Sequence, residues 1–158
     1  MSESPEPGVI GWREWIALPD LALPAIKAKV DTGALTSALH AFLIEPYARD
    51  GRDMIRFLIH PIQRNQAFEI ECHCPVHDYR EVADSGGHRE MRYVIRSNIC
   101  LSGNVWPIEL TLTNRDTMRF RMLLGRRAMT GRFLVDPSAS YVAGKLQPHK
   151  LYKIKAES

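Results

Sequence analysis

Short stretches in which apolar and polar residues alternate recur along most of this chain. In Ile26-Lys27-Ala28-Lys29-Val30 the apolar side chains fall on one face and two lysines on the other, the two-residue period of a half-buried strand. Comparable runs predict strands over residues 9–18, 25–30, 36–43, 54–60, 68–74, 92–101, 105–113 and 118–124, with a short one at Phe133 to Val135. Turn signals separate them: Arg49-Asp50-Gly51-Arg52, Ser85-Gly86-Gly87 and Ser102-Gly103-Asn104. One helix is predicted, over 126–130, closed by Gly131. Many strands and one short helix imply a mainly β chain folded as a closed or folded-over barrel, and the missing helices exclude a parallel α/β sheet.

Composition narrows this picture. The 158 residues are 45% hydrophobic, one domain's worth of chain with enough apolar surface for a core that needs no staples. A formal charge of +3, without a clustered basic face, does not nominate nucleic acid. Every cationic residue from Arg49 to Arg132 is Arg, whose planar fork suits carboxylates; genome composition explains the same bias. Three cysteines and no apolar leader predict a reducing, cytoplasmic setting, and no run reaches the roughly 18 to 20 apolar residues of a membrane span. The expected organisation is a disordered lead-in over 1–8, a β domain over 9–144 and a tail over 145–158. In that tail Leu151-Tyr152-Lys153-Ile154-Lys155 alternates, as an interface strand or a frayed end would. Trp12, Trp15 and Trp106 are expected to pack in the core or at its edge.

Candidate chemistry begins where the strand at 26–30 ends, in Asp31-Thr32-Gly33. An acidic residue leaves a rigid element into a Gly turn, Thr32 can anchor that turn, and Gly33 admits close approach of a substrate. Asp-Thr-Gly is also ordinary turn chemistry. The tripeptide is followed by Ala34 and by Thr36-Ser37-Ala38-Leu39-His40-Ala41, and much later by Met122-Leu123-Leu124-Gly125-Arg126. Together these segments resemble the retropepsins, aspartic peptidases in which a second segment, two apolar residues and Gly, crosses behind Asp-Thr-Gly-Ala before a short helix.

With Ile10-Gly11-Trp12-Arg13-Glu14-Trp15 and Phe133-Leu134-Val135-Asp136-Pro137-Ser138 added, the chain resembles a narrower bacterial group, the retropepsin-like RimB family, also labelled ATP-dependent zinc protease. The resemblance covers about residues 9–144 and implies a retropepsin-type single-lobe barrel that hydrolyses peptide bonds. Two carboxyl groups must share one water in that chemistry, one ionised and one protonated. The chain has no second Asp-Thr/Ser-Gly, so the resemblance implies a homodimer in which Asp31 meets its own copy. It also implies that Thr32 reaches the partner's loop, that Gly33, Ala34 and Gly125 shape the substrate's seat, and that Asp84-Ser85-Gly86-Gly87-His88 tips a flap, although a polar loop reads the same way. Arg89, Arg92 and Arg96 beyond the flap are candidate carboxylate contacts or a solvated strand face. Members of the group accompany ATP-grasp ligases that add glutamates to proteins, which implies a glutamate-tailed substrate.

Two departures from the retroviral pattern stand out. Leu35 replaces the acidic residue that pairs with the Arg after the crossing Gly, leaving Arg126 without that partner, and the span from Asp31 to Gly125 is longer, the excess falling between Tyr47 and Asp84. No cofactor is expected: the chain has neither a Gly-x-x-x-x-Gly-Lys-Ser/Thr loop nor a His-Glu-x-x-His helix. The alternative is zinc on Cys72, Cys74 and His77, completed by Cys100 or His60, in a zinc-dependent protease or a zinc-stabilised binding module without catalysis. In the competing reading Cys72 and Cys74 are small buried residues and His73 faces solvent.

Overall fold

A computed structural model describes residues 7–63, 65–83, 86–114 and 119–153. Its strands are β1 (Gly8–Ile10), β2 (Arg13–Leu18), β3 (Leu23–Val30), β4 (Ser37–His40), β5 (Phe42–Arg49), β6 (Arg52–Ile59), β7 (Ile70–Pro75), β8 (Asp78–Ala83), β9 (Arg89–Leu101), β10 (Asn104–Thr113), β11 (Met122–Leu124) and β12 (Phe133–Val135). The helices α1 (Arg126–Met129) and α2 (Pro148–Leu151) are one turn each. The expected mainly β, barrel-like fold is what the chain adopts. The order β10-β4-β11-β3-β2-β9 closes on itself through β9–β10 pairing, and β8 extends the sheet along the first half of β9.

Alternation builds the core. Ile16 and Leu18 of β2, Ile26 and Ala28 of β3, Ile95 and Ile99 of β9, Leu110 and Leu112 of β10 and Met122 and Leu124 of β11 point inward and are buried together. The excess span between Tyr47 and Asp84 contributes to a three-stranded antiparallel sheet, β5-β6-β7, whose Ile55, Phe57, Ile59 and Cys72 join the same core. Two hairpins turn at the Gly pairs foreseen in the sequence: Asp50 and Gly51 (φ 53° and 76°) and Ser102 and Gly103 (φ 53° and 77°) take the left-handed conformations of two-residue turns.

Several boundaries differ from expectation for local reasons. The strand expected over 9–18 breaks after Ile10 because Gly11 presses on the chain at Ala139, where a Cβ would collide with that carbonyl. The strand expected over 36–43 breaks at Ala41, and β5 continues to Arg49. β8 was hidden in a polar run because it lies at a sheet edge and buries little. Residues 151–155 do not begin as an interface strand: Pro148–Leu151 is helical, and the Tyr152 hydroxyl donates to the Ala25 carbonyl at 2.6 Å within the same chain, with Tyr152 edge-on to Phe68. The rest of that run lies outside the described residues.

Glu14 was expected simply as part of a family motif, yet it is fully buried on the inward face of β2. Its carboxylate accepts the backbone N–H groups of Gly11 (2.6 Å), Val142 (2.9 Å) and Ala143 (3.0 Å). The segment after β12 is thereby strapped over the start of β2, a tie reinforced by Trp12 N–H donating to Ala139 O and Tyr141 N–H to Arg13 O. Glu14→Ala strands three backbone donors and is expected to cost about 3–5 kcal/mol in urea unfolding, with Glu14→Gln intermediate. An Ala variant as stable as the parent would contradict this role.

Candidate active site

β11 runs between two neighbours, parallel to β3 with Leu124 opposite Val30 and antiparallel to β4 with Leu123 opposite Ala38. This threading brings the two distant sequence segments together. Asp31 N–H donates to the Leu124 carbonyl at 2.9 Å, so Asp31 leaves β3 at the level where β11 ends. Its Oδ1 accepts the Gly33 N–H at 3.0 Å and its carbonyl accepts the Ala34 N–H at 3.2 Å, which closes the Asp-Thr-Gly-Ala turn and orients the carboxylate. Asp31 is half-buried, Thr32 and Gly33 are exposed, and Ala34 is buried.

Gly125 crosses directly behind this loop. A Cβ there would stand 2.6 Å from the Thr36 carbonyl carbon and 2.8 Å from Ser37 N, so backbone meets backbone and any side chain is excluded. The contact is tied by Gly125 N–H donating to Ser37 Oγ at 2.9 Å, Arg126 N–H to Ala34 O at 2.7 Å and Arg127 N–H to Leu35 O at 3.1 Å. Arg126 forms no ion pair among the described residues, and Leu35, where the retroviral acid would stand, is exposed.

Behind Ser37 runs a buried polar chain that sequence reasoning missed. The Thr111 hydroxyl donates to Ser37 O at 3.2 Å, Arg92 Nη1 donates to Thr111 Oγ1 at 3.2 Å, and Glu90 Oε1 accepts from both Arg92 Nε (2.6 Å) and Thr113 Oγ1 (2.8 Å). Arg92, expected as a carboxylate contact or on a solvated face, is in fact buried and spent on Glu90 and Thr111. The signal was present in Thr111 and Thr113, polar residues among the apolar positions of β10. Arg89 is exposed and paired with Glu81 at 3.0 Å across the β8–β9 hairpin. Gly86 and Gly87 (φ 84°) lie at the tip of that hairpin; Asp84 and Ser85 lie outside the described residues. Arg96 instead lines a cavity of about 590 Å³ with Thr36, Trp106, Glu109, Arg127 and Arg132, beneath α1. Asp31 lines neither this cavity nor a second one at the other end of β11.

The residues of the zinc alternative do not converge. Among the described residues no group of three or more His, Cys, Asp or Glu side chains is placed to hold a metal ion. Cys72 is buried with its thiol toward the Leu21 carbonyl at 3.7 Å, while His77 Nε2 meets Glu109 Oε1 at 3.2 Å, and the Arg80 guanidinium bonded to Glu109 holds that carboxyl below its ordinary range. His73 is exposed and bonded to Tyr47 and Glu71. Burial pushes the Cys72 thiol up to about 12 and Cys74 to about 11.

Residues 9–146 match the RimB-like family, described as retropepsin-like aspartic endopeptidase RimB. The chain belongs to that family. Curated relatives carry another name: a probable alpha-L-glutamate ligase of Parasynechococcus marenigrum is 52% identical over 90% of this chain, and one of Shewanella pealeana 49% identical over 93%. The RimB-like chain spans about a third of those relatives, 31% and 33% of their lengths. A Legionella pneumophila protein described as of unknown function has a crystal structure that superposes with a TM-score of 0.72 at 27% identity, covering 87% of this chain and 99% of that one.

Two outcomes are expected. Gly125→Ala forces the crossing apart and loses about 2–3 kcal/mol in denaturant unfolding; parent-like stability would contradict the close approach. The raised Cys72 and Cys74 thiols favour folding while neutral, so their contribution is present below the ordinary thiol range and is lost as pH rises through about 11 to about 12. Alkylation of Cys72 in native protein should accordingly be far slower than in urea, as mass spectrometry of the labelled peptide will report.

Proposed function

We propose that the chain is an aspartic endopeptidase whose active site is completed by a second copy of itself. The observation that carries this reading is the mount of Asp31: one carboxylate, held by its own turn and by the crossing at Gly125, half-buried and outside both cavities. A single carboxylate cannot act as both base and acid on one water. In the two-fold assembly the ionised Asp31 takes a proton from water, whose oxygen attacks the peptide carbonyl carbon, while the protonated Asp31 of the second copy gives its proton to the carbonyl oxygen. Collapse of the resulting diol breaks the C–N bond, and the amine leaves with a proton returned by the pair. Two carboxyls this close share one proton and titrate together, which gives a bell-shaped dependence of rate on pH.

The surface is compatible with pairing. β1 and β12 form a two-stranded parallel ribbon with Val9 opposite Leu134, both outward and 50% and 61% exposed. Leu35, beside the Asp31 turn, adds 43% exposure to the apolar surface. Thr32 is exposed, as a residue that reaches a partner's loop must be. The glycine-tipped β8–β9 hairpin is our candidate flap.

The relatives called glutamate ligases suggest the substrate. A hydrolase that shares a chain with, or works beside, an enzyme named for joining glutamate is suited to removing glutamate residues from the same proteins. One further reading has a specific observation behind it: because the chain matches a third of those ligases, it could serve as a non-catalytic module that presents their substrate.

The two readings part on a single substitution. Asp31→Asn should lower the cleavage rate of a glutamate-tailed protein by at least about 10³-fold while leaving circular dichroism and thermal midpoint unchanged. Full cleavage by that variant removes the proposal; no cleavage by the parent favours the module. Placing Asp at both Val9 and Leu134 should yield monomers in sedimentation velocity and the same loss of rate.

A further inference from the structure

The second cavity, about 350 Å³, lies at the start of β11, the end away from Gly125. His60, Gln66, Asn114 and Arg121 are among its lining residues. Arg121 is 8% exposed, and its Nε has no hydrogen-bond partner among the described residues. No carboxylate among the described residues pairs with it, and Glu69 is engaged at 3.3 Å by the imidazole of His60, which lines the same cavity. Burial alone moves the guanidinium, downward from its ordinary value, and burial followed by the Arg121 charge holds His60 low, with Glu69 opposing. An arginine cannot escape such a site by losing its proton, so a buried guanidinium without a counterion is strongly unfavourable. The backbone around it is nonetheless well tied, with His40 N–H donating to Arg121 O at 2.8 Å and Gln63 Nε2 to Arg119 O at 2.9 Å. An arginine kept in this state by an ordered scaffold, beside the amides of Gln66 and Asn114, is suited to an incoming planar anion.

Its position relates it to Asp31. Strand alternation sets Arg121 with Leu123 on the face of β11 opposite the core residues Met122 and Leu124, and Leu123 is registered beside Lys29, two residues before Asp31. Arg121 lies four positions before Gly125 on a strand parallel to β3, about 13 Å along the sheet from the level of Asp31 at 3.3 Å per residue. That distance is about four residues of extended peptide. We propose that the Arg121 cavity is a subsite for a carboxylate, supplied by an acidic side chain or the terminal carboxyl of a peptide lying across the Asp31 site. The choice of a peptide as carrier rests on the function proposed above; the carboxylate site itself does not need Asp31 to be catalytic.

The test uses the Asp31→Asn chain, which leaves the probe intact, and calorimetric binding of N-acetyl tetraglutamate against N-acetyl tetraglutamine. The glutamate peptide is expected to bind at least about tenfold more tightly, and Arg121→Gln to abolish that preference. In the free protein Arg121→Met should raise the thermal midpoint, since it removes a buried charge that has no carboxylate partner among the described residues; a fall would mean that Arg121 is paired internally, and would overturn the proposal. A preference unchanged by Arg121→Gln, or displacement of the peptide by millimolar inorganic phosphate, would equally overturn it. If cleavage depends on Asp31 while the preference is absent, only the subsite fails. If the preference is present and Asp31→Asn still cleaves, only the peptidase reading fails.

Discussion

The whole site depends on one close approach, the passage of Gly125 against the Thr36–Ser37 backbone at 2.6 to 2.8 Å from where a side chain would begin. That contact lets β11 thread between β3 and β4, and threading places the Leu124 carbonyl where Asp31 N–H can use it. Residues some 90 positions apart in sequence are joined by a few hydrogen bonds. Their geometry is inherited by the carboxylate. The polar run from Ser37 through Thr111 to Arg92 and Glu90 extends this tie to β9, whose first residues carry the glycine-tipped hairpin. The floor of the site and the strand leading to the hairpin are therefore one hydrogen-bonded unit, not independently placed parts.

Much of this was legible in the sequence because it follows from short-range rules. The alternation at 26–30, the turns at Asp50-Gly51 and Ser102-Gly103, and the Leu-Leu-Gly segment each specify local geometry through the two-residue period or through a residue that only glycine can replace. Long-range polar pairing was not legible. Nothing local says that Glu14 collects backbone donors from residues 142 and 143, or that Arg92 turns inward to Glu90 and Thr111. The tail misled for a related reason: Tyr152 alternates like a strand residue, but a hydroxyl at Ala25 and a ring at Phe68 hold it after a helical turn. For the zinc alternative on Cys72, Cys74 and His77, the described residues show no converging ligand set: strand alternation sends Cys72 into the core, as the competing reading had it, while His77 is drawn to Glu109.

Three features of the chain bear on the two-fold assembly proposed for it. Its carboxylate is well oriented but single, its β1–β12 ribbon carries outward apolar side chains, and Leu35 replaces the acid that could have tied Arg126 internally. These belong together if the missing half is an identical chain, because a two-fold axis would duplicate the carboxylate and cover the apolar ribbon at once. Under the function proposed above, relatives named as glutamate ligases are what points to a glutamate-bearing substrate.

The separation of the two Asp31 carboxyl groups in a crystal of the assembled protein tests this account most directly. The account predicts a two-fold particle in which the groups lie within hydrogen-bonding reach of one shared water, about 3 Å from each other. Protomers that crystallise and sediment singly, or a dimer whose Asp31 carboxyls stand far apart on separate surfaces, would contradict it.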